Sequence, residues 1–328
     1  MRIGRAAGVT DTGRRRLRNE DAFICEPPLF AVADGMGGAR AGEIAAGLAA
    51  AALEEAGSET RGAEGIRDLI IEANRRIWER SVADPKTAGM GTTVTAALVD
   101  ADGGTVAIGH VGDSRAYLLR GGSLEQLTTD HSLVAELVES GVLTPEEAER
   151  HPQRSAITRA LGTEPTVEVD GFTIDAEPGD LFLICSDGLS VMLADKQMAA
   201  AIKSSDGDPA GAAEALVAAA NDRGGEDNVT VVLFEMLDAG VPEVAPPTPE
   251  EPSAVDDQEA DTSSPEEPVS ETPVSENAVS ETPASETPPE PGSLRRHGAG
   301  PGGRLAALLL LAAIVGLSLL ALYVVVRR

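Results

Sequence analysis

Four aspartates stand where apolar segments of this sequence begin, turn or end. They are Asp34, Asp113, Asp187 and Asp227. One Asp-Gly pair by itself is typical of a turn. Four acids in matching settings, with Glu20 and Asp21 ahead of them, predict carboxylates that rigid strands bring to one edge of a sheet. Hard oxygen ligands of this kind suit Mg²⁺ or Mn²⁺, so the pattern predicts a divalent metal site.

The glycine-rich segment that follows Asp34 does not have the pattern of a nucleotide phosphate cradle. Residues 34–38 read Asp-Gly-Met-Gly-Gly, without the Gly-Lys-Ser/Thr ending of a P-loop and without GxGxxG spacing. We expect the small residues here to let a backbone carbonyl approach a metal instead.

The elements that position these acids can be predicted from hydrophobic patterning. The predicted strands are 29–33, 92–99, 105–111, 116–119, 181–185 and 229–234. The predicted helices are 42–56, 66–80 and 210–221. Short connections predict two antiparallel hairpins, one joining 92–99 to 105–111 and one joining 105–111 to 115–119. Runs of strands that alternate with blocks of helix predict an α+β layered fold.

Composition excludes several classes of function. The 26 basic and 54 acidic residues give a net charge of −28, which argues against nucleic-acid binding because phosphates need a basic face. Cys25 and Cys185 lie far apart in sequence, so they predict neither a disulfide framework nor a thiolate zinc site. The four histidines form no close-spaced pair of the kind that binds metals.

The chain divides into three parts by composition. Residues 1–238 have the size of one large domain and a net charge of −19. Residues 239–303 are rich in Pro, Ser and Thr, contain a VSETP-like repeat and carry 14 acids, which predicts a disordered linker. Residues 304–328 contain an uncharged apolar run at 305–326, about 33 Å long as a helix, which predicts a transmembrane helix with a short basic tail.

The position of this run predicts a single-pass protein of the cell membrane with a cytoplasmic domain. The first ten residues have no apolar region typical of a signal peptide. Arg295, Arg296 and Arg304 lie on the proximal side of the run, in agreement with the positive-inside rule, and Arg327 and Arg328 on the far side reduce the difference. The inverted topology is the alternative, with the linker spanning the cell wall.

With these motifs in place, residues 1–238 resemble the metal-dependent protein serine/threonine phosphatases of the protein phosphatase 2C (PPM) family, in its bacterial form. Seven segments carry the resemblance in the family's order: 16–21, 33–38, 89–93, 109–115, 157–162, 186–189 and 227–230. The layout with a linker and a membrane span also resembles phosphatases that act with membrane-bound bacterial Ser/Thr kinases.

The resemblance implies a four-layer αββα sandwich, in which two antiparallel sheets are flanked by helices. It implies two metal ions, Mn²⁺ or Mg²⁺, that are bridged by the catalytic Asp34. Asp187 and Asp227 would complete the first metal, and the carbonyl of Gly35 would contact the second. Glu20 and Asp21 would hold waters of the second metal, and Asp113 with Asp187 would build a third metal site.

The resemblance also assigns the binding of substrate phosphate to Arg16, five positions before Asp21. Arg14, Arg15 and Arg18 are nearby alternatives. The implied reaction is direct hydrolysis of phosphoserine and phosphothreonine by an activated water. A histidine general acid directly after the Asp34-Gly35 pair is excluded, since Met36 follows. The stretch 130–165 matches the family's flap, and its His131 and His151 are expected in local hydrogen bonding.

Phosphorylated proteins, among them Ser/Thr kinases, are the partners that this reading predicts. Two alternatives stay open at this point. One is a non-catalytic phosphoprotein-binding module, although every expected acid is present. The other is a regulator of the same superfamily that acts on a single stress-signalling partner.

Overall fold

Two antiparallel sheets form the centre of the fold in the computed structural model of this chain. The structure describes residues 1–37, 41–57, 60–148 and 150–240, which lie in one compact unit. The first sheet has the order β1-β11-β10-β7-β8. The second has the order β2-β3-β5-β6-β9, with β4 paired to the end of β3.

The strands are short and pair antiparallel throughout the described ranges. Their bounds are β1 Arg2–Asp11, β2 Asp21–Glu26, β3 Leu29–Met36, β4 Gly91–Thr92, β5 Val94–Asp100, β6 Thr105–Val111, β7 Arg115–Arg120, β8 Ser123–Gln126, β9 Asp170–Asp175, β10 Leu181–Cys185 and β11 Val229–Leu237. The helices are α1 Ala41–Gly57, α2 Gly62–Ala83, α3 Leu133–Glu139, α4 Pro145–Ala148, α5 Asp187–Ser190, α6 Asp195–Ser204 and α7 Pro209–Asp222.

Three apolar layers hold these elements together. Side chains of α1 and α2 pack on the second sheet, and those of α6 and α7 pack on the first. Between the sheets, Phe30 stacks on Phe234 with ring centroids 4.1 Å apart, and Phe182 stacks on Phe234 at 5.0 Å. The prediction of two antiparallel sheets flanked by helices is therefore confirmed.

One predicted hairpin is wrong. β5 and β6 pair as expected, but β6 and β7 belong to different sheets, and β7 pairs with β10 and β8. The connection through Gly112 carries the chain from one sheet to the other, with Gly112 in the left-handed region at φ +115°. The short length of this connection had suggested a hairpin turn. A crossover between two stacked sheets can be equally short.

Some elements were not predicted because they lack a strong apolar pattern. Among these are β1, which has no long apolar run, and β2, whose apolar run at 22–25 is four residues long. Among the described helices, none combines the length and apolarity needed to cross a membrane. The predicted linker and the run at 305–326 lie outside the described residues.

Candidate active site

Asp21 and Asp34 lie directly opposite each other at the adjoining ends of β2 and β3. Directly opposed residues of an antiparallel pair project from the same face of the sheet. The Asp21 carboxylate accepts a hydrogen bond from the Thr230 hydroxyl (2.6 Å), which reaches across from β11 in the other sheet. The two acids therefore meet where both sheets share an edge.

Gly35 continues β3 and lies against the start of α1. A Cβ atom at Gly35 would come within 2.3 Å of the carbonyl oxygen of Gly42 and 2.4 Å of that of Glu20. A side chain is excluded at this position because both neighbours are backbone atoms. The structure thus explains the small residue expected here, because Gly35 packs closely against the backbone of Glu20 and of α1.

The other acids reach the same edge from three connections. Asp187 begins α5 directly after β10, and Asp227 lies two residues before β11. Asp113 is buried in the crossover between β6 and β7. The charge of Asp187 is close enough to Asp34 to raise its pKa. The predicted convergence of the acids is therefore present, and it is built from both sheets.

Burial and mutual repulsion raise the pKa of four carboxyl groups at this edge, those of Asp21, Asp34, Asp113 and Asp187. Burial raises the pKa of Asp113 to about 7, and the charge of Asp187 adds to the effect. Burial raises the pKa of Asp187 to about 6, with a contribution from Asp227. Burial also raises the pKa of Asp34 well above its usual range, and Asp21 contributes next. For Asp21, burial raises the pKa to about 7 against the opposing hydrogen bond from Thr230. The negative form of this cluster needs a compensating positive charge.

Two buried oxygens in this cluster lack a donor within the described residues. They are Oδ1 of Asp21 and Oδ1 of Asp187. A buried acceptor without a partner costs free energy. A divalent cation would satisfy such oxygens and offset the repulsion, so the donor set fits the predicted Mg²⁺ or Mn²⁺.

The ligand assignments themselves stay predictions. In residues 1–37, 41–57, 60–148 and 150–240, no three Asp, Glu, His or Cys side chains already surround one point as a metal cage would. What the structure brings together is Asp21, Asp34, Asp113, Asp187 and Asp227 as mutually interacting charges. Glu20 is tied to the same edge by its backbone N–H, which donates to Oδ1 of Asn228 (2.8 Å).

Arg16 is the arginine of its loop that contacts the acids. Its guanidinium lies 2.5 Å from Oδ2 of Asp227, and about half of its side chain is exposed. Among the described residues, Arg14, Arg15 and Arg18 form no ion pair. Of the four arginines, Arg16 is therefore the one that contacts the acid cluster.

A set of buried hydroxyl groups contacts the backbone of Asp34. Their segments, 89–93 and 109–115, were part of the family resemblance, but the sequence assigned these hydroxyl groups no role. The Thr93 hydroxyl accepts from the backbone N–H of Asp34 (3.2 Å) and lies 2.7 Å from the Ser114 hydroxyl. The Thr92 hydroxyl donates to the carbonyl oxygen of Asp34 (2.8 Å). These residues are fully buried, and they link Asp34 to the residue that follows Asp113. The signal in the sequence that could have indicated these hydroxyl groups was the pair Thr92-Thr93 after Gly91.

The flap segment is joined to the site at both of its ends. At one end the N–H of His131 donates to the carbonyl oxygen of Gly112 (2.7 Å), and at the other end Leu161 bridges to Thr92 beside the hydroxyl cluster. Between the flap and the acids lies a cavity of about 960 Å³, lined by Asp113 and Asp187 on one side and by Val134 and Val138 on the other. This volume is sufficient for a peptide side chain.

Comparison with known proteins agrees with this geometry. A family model described as protein phosphatase 2C matches residues 13–216. The chain is 42% identical over 238 residues to the serine/threonine phosphatase stp of Listeria welshimeri, which covers 69% of this chain and 93% of that protein. It is 41% identical over 240 residues to the serine/threonine protein phosphatase PstP of Mycobacterium tuberculosis, covering 71% of this chain and 45% of that protein.

Solved structures show the same likeness. The crystal structure of the M. tuberculosis phosphatase PstP/Ppp superposes with a TM-score of 0.68 at 39% identity, covering 72% of this chain and all of that one. The PstP catalytic domain in complex with two manganese ions superposes with a TM-score of 0.66 at 38% identity, covering 72% and 99%. With its family model matched over residues 13–216 and its acids gathered at one edge, this chain belongs to the protein phosphatase 2C family.

Proposed function

We propose that residues 1–238 hydrolyse phosphoserine and phosphothreonine in proteins by direct attack of water, with Mn²⁺ or Mg²⁺ held at the shared edge of the two sheets. Identities of about 40% to proteins named serine/threonine phosphatases support this reaction class. The single observation that carries the proposal is that five aspartates interact as charges at the shared edge of the two sheets.

The acids divide into ligands and supports. Two ions would be held by Asp34, Asp187, Asp227 and the carbonyl of Gly35. Glu20 and Asp21 would hold waters of the second ion. A third ion would be held by Asp113 and Asp187. Bound divalent ions lower the pKa of a coordinated water and neutralise phosphate charge. The protein's part is to hold the carboxylates on strand ends, so that little rearrangement is needed when substrate binds.

Arg16 would orient the substrate phosphate. Its planar guanidinium can donate two parallel hydrogen bonds to phosphate oxygens. It lies beside Asp227 at the rim of the cluster and is half exposed, so an incoming phosphoryl group can reach it. A positive group at this rim also helps an acidic domain to accept an anionic substrate.

A covalent phosphocysteine route is not supported by the two thiols. Cys185 is fully buried inside β10, and burial raises its pKa to about 12. Burial also raises the pKa of Cys25. Both thiols stay protonated near neutral pH, and a protonated thiol is a poor nucleophile.

A purified fragment of residues 1–240 tests the proposal. The fragment is a reasonable unit because the Listeria relative consists almost entirely of the matched region. We expect release of phosphate from a phosphothreonine peptide with Mn²⁺ present and none after chelation. A fragment that binds Mn²⁺ and the peptide without releasing phosphate would instead indicate a phosphoprotein-binding module.

We further propose that the full chain is anchored in the cell membrane by 305–326, with a cytoplasmic phosphatase domain that opposes Ser/Thr kinases. The uncharged run and the basic residues before it support this anchor. Full-length protein should sediment with membranes after a salt wash, whereas residues 1–240 should stay in the supernatant. If the two proteins sedimented alike, the proposed membrane anchor would be wrong. Phosphoproteomics after depletion of this protein distinguishes two kinds of substrate. Many hyperphosphorylated membrane proteins would indicate that it opposes Ser/Thr kinases, and one hyperphosphorylated soluble protein would indicate a single stress-signalling partner.

A further inference from the structure

Residues 14–18 form a basic loop at the rim of the acid cluster. The loop reads Arg-Arg-Arg-Leu-Arg, so it places four positive charges within five positions of a domain whose net charge is −19. All five residues are exposed, and Leu17 is exposed over 99% of its surface. A concentration of positive charge on an acidic domain indicates a surface that meets an anionic partner.

Most arginines elsewhere in the described residues are already engaged by carboxylates. Arg75 lies between Glu72 and Glu79, and Arg120 contacts Asp180. In the basic loop, Arg16 alone has such a partner within the described part of the chain, and that partner is Asp227. The guanidinium groups of the other three loop arginines remain available to a partner.

The backbone holds the loop in a fixed position beside the active site. The N–H of Arg14 donates to the carbonyl oxygen of Gly225 (2.7 Å). The buried amide of Asn228 donates to the carbonyl oxygens of Arg18 (2.8 Å) and Thr12 (2.9 Å). Both ends of the loop are thus fastened to the residues around Asp227. A preorganised surface loses less conformational entropy when a partner binds.

We propose that Arg14, Arg15 and Arg18 form a docking surface for acidic side chains that flank the phosphorylated residue of the substrate. This inference rests on the proposed function, since Arg16 within the same loop would hold the phosphate itself. Leu17 adds an apolar contact for the substrate chain, which an inorganic anion would not use.

Carboxylates spread along a peptide match the loop better than one additional phosphate. The three arginines occupy separate positions of a loop that turns at 13–15 and bends at 17–18. Separate positive charges suit several single negative charges along an extended peptide. A second phosphate would instead concentrate its charge at one point, where a bidentate arginine or a cluster would be needed.

Three phosphothreonine peptides of equal length test the surface with residues 1–240 and Mn²⁺. One has neutral flanks, one has glutamate flanks, and one has neutral flanks with a second phosphothreonine. For the wild-type protein at low ionic strength, we expect kcat/KM for the glutamate peptide to exceed that for the neutral peptide about fivefold, as two or three exposed ion pairs would produce. The ratio should fall as salt is added.

The double variant Arg15→Ala/Arg18→Ala should bring this ratio close to one. The matched control Arg75→Ala/Arg76→Ala removes two arginines from α2 and should keep the wild-type ratio. A wild-type ratio near one, or a ratio that survives in the double variant, would overturn the inference. A preference for the doubly phosphorylated peptide alone would overturn the assignment to carboxylates. Hydrolysis of the neutral peptide reports separately on the proposed function.

Discussion

His131 forms two hydrogen bonds with the backbone of Gly112, the residue next to Asp113. Nδ1 of His131 accepts from the N–H of Gly112 (3.0 Å), and the N–H of His131 donates to the carbonyl oxygen of Gly112 (2.7 Å). On the other side of the ring, Nε2 faces the carboxylate of Asp170 (3.2 Å). Because Nδ1 accepts, the proton of the neutral ring is on Nε2. His131 also stands at the base of the flap, so it connects the flap to the crossover that carries Asp113.

Two substitutions of His131 separate these contacts. His131→Asn retains an acceptor at the position of Nδ1, whereas His131→Gln retains a polar group at the position of Nε2 only. We expect His131→Gln to weaken Mn²⁺ binding to residues 1–240 about three- to tenfold, the loss of roughly one hydrogen bond that positions Asp113. His131→Asn should stay within about twofold of the wild type. Calorimetric titration with Mn²⁺ measures both, and equal affinities for the two variants would contradict the positioning role.

Asp34→Asn should stabilise the metal-free domain and abolish its activity. The substitution removes a buried carboxyl group whose ionisation is opposed by burial and by four neighbouring acids, so the melting temperature without metal should rise. Mn²⁺ should stabilise the wild type by about 2.7 kcal/mol at a hundredfold excess over Kd, and the variant much less. Phosphatase activity with Mn²⁺ should fall at least about a hundredfold, since a bridging ligand is lost.

The control for this prediction is Asp68→Asn, which removes an exposed carboxylate from α2. It should change neither the response of the melting temperature to Mn²⁺ nor the activity. If Asp34→Asn kept full activity, the assignment of Asp34 as the bridging ligand would be wrong.

Arg16→Ala should raise KM for p-nitrophenyl phosphate about tenfold or more, because a charged hydrogen bond to phosphate is lost. Arg16→Lys keeps the charge but not the planar fork, so its KM should lie between those of Arg16→Ala and the wild type. Steady-state kinetics on residues 1–240 with saturating Mn²⁺ provides the measurement. An unchanged KM would transfer the phosphate-binding role to Arg14, Arg15 or Arg18.

His110 should make stability depend on pH in the acidic range. Burial lowers its pKa from 6.5 to about 4, with a smaller contribution from His131. Nε2 faces the carbonyl oxygen of Thr129 (3.0 Å), and Nδ1 faces the Thr95 hydroxyl (2.9 Å). A lowered pKa in the folded state means that this contribution to stability is complete above pH 6.5 and is lost as the pH falls towards 4. The loss is on the order of 3 kcal/mol.

Urea unfolding of residues 1–240 between pH 7.5 and 4.5 checks this prediction. His110→Gln should show a shallower decrease of the unfolding free energy with falling pH than the wild type. His151→Gln makes the same substitution in the flap and should follow the wild type. Parallel curves for all three proteins would show that His110 does not control the acid response.

Local pattern was sufficient for much of the core. Val229–Phe234 and Leu181–Cys185 were predicted as strands because buried β-branched and aromatic runs of this length have few alternatives. Helix α1 was predicted from its composition, and it extends only one residue further at each end. By contrast, β1 and β2 were missed, since most of their residues are half-buried and the continuous apolar run in β2, at 22–25, is just four residues long. The hairpin between β6 and β7 was predicted wrongly because turn length does not distinguish a hairpin from a crossover.

For this protein, the sequence alone was sufficient to identify the acids, the arginine loop and the family that the chain resembles. Those features are local: an aspartate at the end of an apolar run is visible without knowing what the run packs against. Only the tertiary structure decided that Asp21 lies opposite Asp34, that Thr230 of the other sheet reaches Asp21, and that His131 holds Gly112. These contacts join residues that are distant in sequence. Their formation depends on how two sheets stack, and stacking is set by packing of the whole core rather than by any single segment.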